Sequence, residues 1–219
     1  MPIASADDPR IAPYRAVKER DLFRDDGRFI VEGAIALDAL IGSRFPVESL
    51  LLAESRLAPM AETIARLDPA TPVYAAAQEV MDGITGFHIH RGVLALSRRQ
   101  GMDSVERLVA RLGPGPLTLL ALIGLADHDN VGSCFRNASG LAADAVLLDG
   151  SCCDPLYRKS IRVSSGAVLR LPFAQSGDGA SIVSTLRAAD IEPWALTPQA
   201  GEPIQAIRPP ERLALLLGS

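Results

Sequence analysis

The chain has 219 residues, of which 48% are hydrophobic and 22% charged, and its net charge is −4. That length holds one large domain or two smaller ones, and the composition excludes a disordered or fibrous chain. The acidic balance excludes an overall basic field around the molecule, although a local basic face is enough to hold phosphates.

The start, "MPIASADDPR", carries acids where a secretion signal carries basic and then apolar residues. Over 30–43, apolar side chains at Ile35, Leu37, Leu40 and Ile41 recur at three- and four-residue steps and predict a helix. "VESLLLA" (47–53) reads as a strand, "PMAETIARL" (59–67) as a helix and "TPVYAA" (71–76) as a strand. "AQEVMDGI" (77–84) is a short helix and "RGVLALS" (91–97) a strand. This alternation predicts a small α/β unit over 1–98, with its ordered core at about 20–98. "RRQGMDSVERLVARLGPGP" (98–116) combines a polar start, one amphipathic helix and a Gly/Pro stop, the composition of a linker over 99–116 that contains a helix between domains.

From 117 the alternation resumes. The strand "LTLLALIG" (117–124) is too short to cross a bilayer even with its apolar neighbours. A helix opened by Asn130, a strand "AVLLD" (145–149), helices over 154–168 and 179–189, and strands "PWALT" (193–197) and "LALLLG" (213–218) follow. Almost continuously apolar strands separated by helices imply a parallel sheet covered on both faces. Ligands of such sheets sit beyond the carboxyl ends of the strands.

At one such end stands "HDNVGSCFRNASG" (128–140). Asn130 is a suitable N-cap, and Gly132 leaves the first turn bare. Arg136, four residues later, leans back over that gap. A guanidinium beside a helix N-terminus makes a positive pocket suited to phosphate. The plainer account, a capped helix start with an exposed arginine, needs no ligand. A second stretch, "DGSCCDPLYRKSIRVSSGAVLRLPF" (149–173), places Pro155 as the first residue of a helix and Arg158 and Arg162 on one face, with Lys159 adjacent. Alone it is a solvated basic face; beside Arg136 it would wall the same cleft.

"DNVGSCFRNASGLAADAVLLDG" and "DPLYRKSIRVSSGAVLRLPF" resemble the first motif region of the SpoU (TrmH-type) RNA ribose methyltransferases of the SPOUT superfamily. "RDDGRFIVEGAIALDALIGS" and "GFHIHRGVLAL" resemble that family's ribosomal-protein-like substrate-binding domain. The resemblance implies a substrate-binding domain followed by a Rossmann-like, trefoil-knot methyltransferase domain over 117–219. It also implies methyl transfer from S-adenosylmethionine to a ribose 2′-hydroxyl of rRNA or tRNA, by a cytoplasmic homodimer. It carries the catalytic role to Arg136 with support from Asn130, cofactor binding to Leu196, Thr197 and Gly218, and RNA contact to His90 and Arg91; Arg158, Lys159 and Arg162, the basic wall beside Arg136, are counted with the RNA contacts. A guanidinium is a poor base, so Arg136 is expected first to hold the phosphate and the developing alkoxide. In the family, the strand matching "LALLLGS" runs on into a Gly-Glu-Gly loop and an Asn/Ser-rich motif that complete the knot. The sequence stops at Ser219 without them, so the expected domain is incomplete at its C-terminus. A non-catalytic RNA-binding protein with impaired cofactor binding is the alternative.

Cys134, Cys152 and Cys153 are odd in number, without CxxC spacing or a base partner, and read as free thiols rather than bridges, zinc ligands or nucleophiles. His88 and His90 point the same way on a strand but lack a third ligand. "DHD" (127–129) reads as loop and cap chemistry, and Trp194 as core. No GxGxxG follows the strand at 117–124, which disfavours a nucleotide-dependent metabolic enzyme.

Overall fold

A computed structural model of the chain describes residues 1–15, 27–85, 92–199, 203 and 206–218. In chain order the elements are β1 (Pro2–Ile3), a 3-10 helix (Pro9–Arg15), β2 (Arg28–Glu32), α1 (Ala34–Ile41), β3 (Val47–Ala53), α2 (Ala61–Ile64), β4 (Val73–Ala76), α3 (Gln78–Thr85) and β5 (Val93–Arg98). There follow α4 (Val105–Arg111), β6 (Leu117–Ile123), α5 (His128–Gly140), β7 (Ala145–Leu148), α6 (Arg158–Val163), α7 (Ala167–Arg170), β8 (Phe173–Gln175), α8 (Gly179–Ala188), β9 (Glu192–Ala195) and β10 (Arg212–Gly218). They divide into two compact units, Met1–Gly101 with Leu156–Arg170, and Met102–Pro155 with Leu171–Ser219. No helix among the described residues is long and apolar enough to cross a membrane.

The first unit is a mixed sheet in the order β1-β4-β3-β5-β2, with β1, β4 and β3 parallel and β5 antiparallel to both neighbours. The helix predicted over 30–43 opens as strand, residues 30–32 belonging to β2. Phe29, Ile30 and Val31 are buried in β2, and the helix begins only after Gly33, whose φ of 96° belongs to the region that favours glycine. The helix predicted over 59–67 shrinks to the four residues of α2. The ordered core starts at the N-terminus rather than near residue 20: Ile3, Ile11 and Tyr14 are buried, and the Tyr14 hydroxyl lies 2.8 Å from Ser49 Oγ.

The helix predicted over 154–168 begins later and breaks. Asp154–Pro155 lie in the turn before α6, and the chain reverses hand at Ser165 (φ 54°) and Gly166 (φ 82°) before α7. Gly166 is held against α1 so closely that a Cβ there would stand 2.7 Å from Ala39 Cβ. Ion pairs flank this contact. Glu32, 6% exposed, accepts Arg158 Nη1 at 3.2 Å and faces Arg162 Nη1 at 3.6 Å; Asp38 takes Arg170 Nη2 at 2.9 Å and also Arg66. A carboxylate that buried persists only with compensating charge.

The second unit is the expected parallel sheet, ordered β8-β7-β6-β10-β9. Its centre, β6, is apolar except for the exposed Thr118, because from Leu119 on both faces are covered. Leu119 and Ala121 share a core with Val105 and Leu108 of α4 and Ile182 and Leu186 of α8. The helix expected in the linker is therefore part of this unit's core. On α5, Phe135 is fully buried and meets Phe173 of β8 edge to face, with centroids 5.5 Å apart. Trp194, expected in the core, is half-buried on the edge strand β9 and donates from Nε1 to Glu192 Oε1.

The turn after β7 is built on Asp149, which is 5% exposed. Its carboxylate accepts the Gly124 N–H at 3.2 Å to each oxygen, the Ser151 hydroxyl at 2.9 Å to each oxygen, and the N–H groups of Ser151 and Cys152 at 3.2 and 2.9 Å. Burial alone would raise its pKa; the bonds from Cys152, Gly124 and Ser151 outweigh that and hold it below the ordinary value.

Gly166→Ala is expected to lose about 1–3 kcal/mol by crowding α1, clearly more than Gly101→Ala. Gly101 shares the positive φ but has no neighbour within 4 Å. Equal losses in urea denaturation would contradict that packing. Because the folded pKa of Asp149 is depressed, its contribution is complete above the unfolded value near about 4 and is lost as pH falls through the folded one. The stability gap between wild type and Asp149→Asn should therefore be constant at neutral pH and close below about pH 4; a gap unchanged down to about pH 2 would contradict it.

Candidate active site

The strand order of the second unit sets where a ligand can bind. From β6 the chain builds outward through β7 and β8, then returns on the other side of β6 with β9 and β10. The topological switch point falls between β6 and β10, and sheets of this kind take their ligands beyond the carboxyl ends of the strands at that point. The register pairs Gly218 with Ile123 at that end. A Cβ on Gly218 would stand 3.4 Å from the Ile123 carbonyl oxygen, an ordinary contact, so the glycine is not demanded by packing within the sheet.

Helix α5 leaves from the same end. Gly124, at φ 69°, turns the chain out of β6, and Asp127 caps the helix: its Oδ1 accepts the N–H groups of Asp129 and Asn130 at 2.8 and 3.0 Å. The cap is thus Asp127, three residues before the Asn130 expected from the sequence. Asn130 sits inside the first turn, exposed, and Gly132 lies in the second turn and is buried. The shift follows from the competition between two good caps: Asp127 has extended backbone (φ −95°, ψ 125°), which a cap requires and a residue already in the helix cannot adopt. Arg136, four residues beyond Gly132, is exposed and makes no ion pair or hydrogen bond among the described residues.

At the neighbouring strand end, the Leu196 N–H donates to the Leu216 carbonyl at 3.0 Å, extending the β9–β10 ladder by one residue. Beyond it Leu196 (39% exposed) offers an apolar side chain, and Thr197 is exposed with its hydroxyl accepting the Gln199 N–H at 3.3 Å. Asn130, Arg136, Leu196, Thr197 and Gly218 therefore belong to one unit and lie on elements that start or end at the carboxyl edge of one sheet.

The other predicted contacts are not part of that set. Arg158, Lys159 and Arg162 belong to the first unit, where the two guanidinium groups are engaged by Glu32 rather than standing as an open basic face. His88, His90 and Arg91 lie outside the described residues.

Asp127 and Asp149 were the residues that spacing alone underrated. "DHD" did announce cap chemistry, but nothing in "AVLLD" signals that its last residue reaches across to Gly124. The cysteines do no nucleophilic work. Cys152 donates from Sγ to the Leu122 carbonyl and accepts the Leu125 N–H, both at 3.3 Å. Burial, with the Asp149 carboxylate beside it, pushes its thiol up to about 12. Burial likewise takes Cys153 to about 11 and raises Cys134. Thiols this far from ionising at neutral pH are inert.

Residues 118–219 match the model of the SpoU rRNA Methylase family. An uncharacterized tRNA/rRNA methyltransferase of Mycobacterium bovis is 37% identical over 226 residues, covering 99% of this chain and 76% of that protein. The 23S rRNA (guanosine-2′-O-)-methyltransferase RlmB of Bordetella pertussis is 27% identical over 151 residues, 67% of this chain and 60% of that one. Among solved structures, the AdoMet-bound rRNA methyltransferase of Sinorhizobium meliloti superposes with a TM-score of 0.79 at 22% identity, over 99% of this chain and 80% of the other. An RNA 2′-O ribose methyltransferase does so with the same score at 24% identity, over 100% and 81%. These two establish the fold, and the mycobacterial relative, matched along almost the whole chain, establishes the kinship. The chain belongs to the SpoU rRNA methylase family.

Proposed function

We propose that this chain is an S-adenosylmethionine-dependent RNA methyltransferase that modifies a ribose 2′-hydroxyl of ribosomal or transfer RNA. The observation that carries this is the gathering of Asn130, Arg136, Leu196, Thr197 and Gly218 on elements that meet the carboxyl edge of one parallel sheet, at its switch point.

The residues at that edge fit the cofactor. An exposed leucine, a threonine and a glycine, with backbone groups beyond the end of the ladder, suit a ligand that has an apolar ring system and several polar edges. Leu196, Thr197 and Gly218 would hold it. When bound, S-adenosylmethionine supplies an electrophilic methyl group. The remaining tasks fall to the chain: to seat the RNA backbone, to align one hydroxyl and to stabilise the charge that grows on its oxygen. Arg136 is suited to the first and last. Its planar fork can take two phosphate oxygens or one phosphate and the developing alkoxide, and it remains charged throughout. Asn130, in the first turn, can accept from or donate to the same ribose, and the N-terminal end of a 13-residue helix adds positive potential.

His90, Arg91 and Lys159 are assigned to RNA contact. Arg158 and Arg162 are assigned instead to holding α6 in its unit through Glu32. The three free cysteines accord with a cytoplasmic, reducing environment, and a homodimer is the assembly that the family resemblance implies.

Arg136→Ala should lower methyl transfer to unmodified ribosomal RNA by about 10²–10³-fold while leaving the melting temperature unchanged. Arg136→Lys should recover little, because a point charge cannot reproduce the fork. Near-normal methylation by either variant removes the assignment. Titration of the wild-type chain with S-adenosylmethionine is expected to saturate. RNA binding without saturable cofactor binding would make the chain a non-catalytic RNA-binding protein instead.

A further inference from the structure

We propose that Asp149 is a positioning residue for the transfer reaction, its carboxylate fixing the Gly124–Leu125 turn from which α5 carries Asn130 and Arg136 into the site. This rests on the function proposed above.

The turn over 149–153 is tied to the end of β6 at four points. The Asp149 carboxylate holds the Gly124 N–H, at 3.2 Å to each oxygen. Cys152 Sγ bridges the Leu122 carbonyl and the Leu125 N–H. The Cys153 N–H donates to the Leu125 carbonyl at 2.8 Å, and the Asp149 N–H to the Leu122 carbonyl at 3.1 Å. On its other side the same turn is anchored to β8. Gln175 Nε2 donates to the carbonyls of Asp149 and Cys152 at 3.2 and 2.8 Å, and the Gly150 N–H donates to the Gly177 carbonyl at 2.8 Å. Leu125 is separated from the cap residue Asp127 by Ala126 alone, so whatever fixes Leu125 fixes where α5 starts.

Only the charged form of residue 149 can serve all of its donors. Four groups converge on it: the N–H groups of Gly124, Ser151 and Cys152 and the Ser151 hydroxyl. A carboxylate offers about four acceptor sites, whereas an amide offers an oxygen with two lone pairs and an NH₂ that would face donors. In Asp149→Asn the Gly124 N–H, on the far side of the fork, competes with the three local donors of the turn. Of the four groups bonded to the carboxylate, the Gly124 N–H alone lies at the end of β6, so its loss removes one of the four ties at the entry to α5 and loosens it. A displacement of about 1 Å at a reacting group is enough to cost about 10²-fold in rate.

The test uses the full chain and two variants, Asp149→Asn and, as a control, Ser151→Ala, which removes one donor without touching Gly124. Three quantities are measured: single-turnover methyl transfer to unmodified ribosomal RNA transcripts, the dissociation constant for S-adenosylmethionine, and amide hydrogen exchange. In Asp149→Asn, turnover should fall by about 10–100-fold. Cofactor affinity should stay within about threefold, since Leu196, Thr197 and Gly218 lie on other elements. Exchange should accelerate over 122–132 and not over 105–111. Ser151→Ala removes a competing donor and leaves the Gly124 bond in place, so its turnover and its exchange over 122–132 should stay near wild type. If Asp149→Asn does not fold, Asp149→Glu, which keeps the charge but displaces the fork, carries the test by the same readouts. Wild-type turnover in folded Asp149→Asn, or unchanged exchange over 122–132, overturns the proposal. So does acceleration spread evenly over α4 and α5, which marks a merely structural residue. If the wild-type chain transfers no methyl group, the function proposed above fails, and the exchange pattern alone then decides for or against the role of Asp149.

Discussion

The carboxyl end of β6 must satisfy two opposed demands. From Leu119 on the strand is covered on both faces, and it is paired along its length with β10 on one side and β7 on the other. One residue later the chain has to leave that ladder, turn and begin a helix whose first N–H groups have no partner of their own. Polar backbone left unpaired in such a place costs about 1–3 kcal/mol per group. The chain meets the demand with two aspartates. Asp149 takes the Gly124 N–H at the point of departure, and Asp127 takes the N–H groups of Asp129 and Asn130 at the helix start. Between Gly124 and Asp127 lie only Leu125 and Ala126, and everything proposed for Arg136 depends on that short path being held in one shape.

The first unit uses charge differently. Glu32 and Asp38 each face two arginines; the 158–170 segment supplies both of those at Glu32 and one of those at Asp38. The apolar contact beneath is tight enough at Gly166 to exclude a methyl group. Exposed ion pairs of this kind contribute little individually. Glu32 is the exception, since at 6% exposure it has given up its hydration and needs both guanidinium groups in place. Arg158 and Arg162, which looked free for phosphate in the sequence, are thereby committed to a carboxylate far away along the chain, 126 positions from Arg158.

How much of this was legible follows from the range of each interaction. The parallel sheet was readable because its strands are short, apolar and bounded by turns: β3 and β6 fall within a residue of their predicted limits. Strand β2 was lost because "FIV" adjoins a true helix, and a 3.6-residue period can be extended backward across a glycine without penalty. Strand β8 was missed because three residues carry no period at all. At the site, the one-to-four spacing from Gly132 to Arg136 was visible, as were the strand ends at Leu196 and Gly218. The N-cap was misplaced by three residues because Asp127 and Asn130 are equally good cap types and only the backbone distinguishes them. The ion pairs to Glu32 and the bond from Gly124 to Asp149 join residues far apart in sequence, and no local pattern encodes such a partner.

The central claim is that one crevice, at the carboxyl ends of β6, β9 and β10, holds both the cofactor and the entry of α5. Hydrogen exchange of the full chain with and without saturating S-adenosylhomocysteine, the demethylated product, tests it most directly. Protection is predicted over 195–199 and 214–218 and in the first turns of α5, with β3 unchanged. Saturable binding with protection confined to other segments, or no saturable binding at all, would contradict the account.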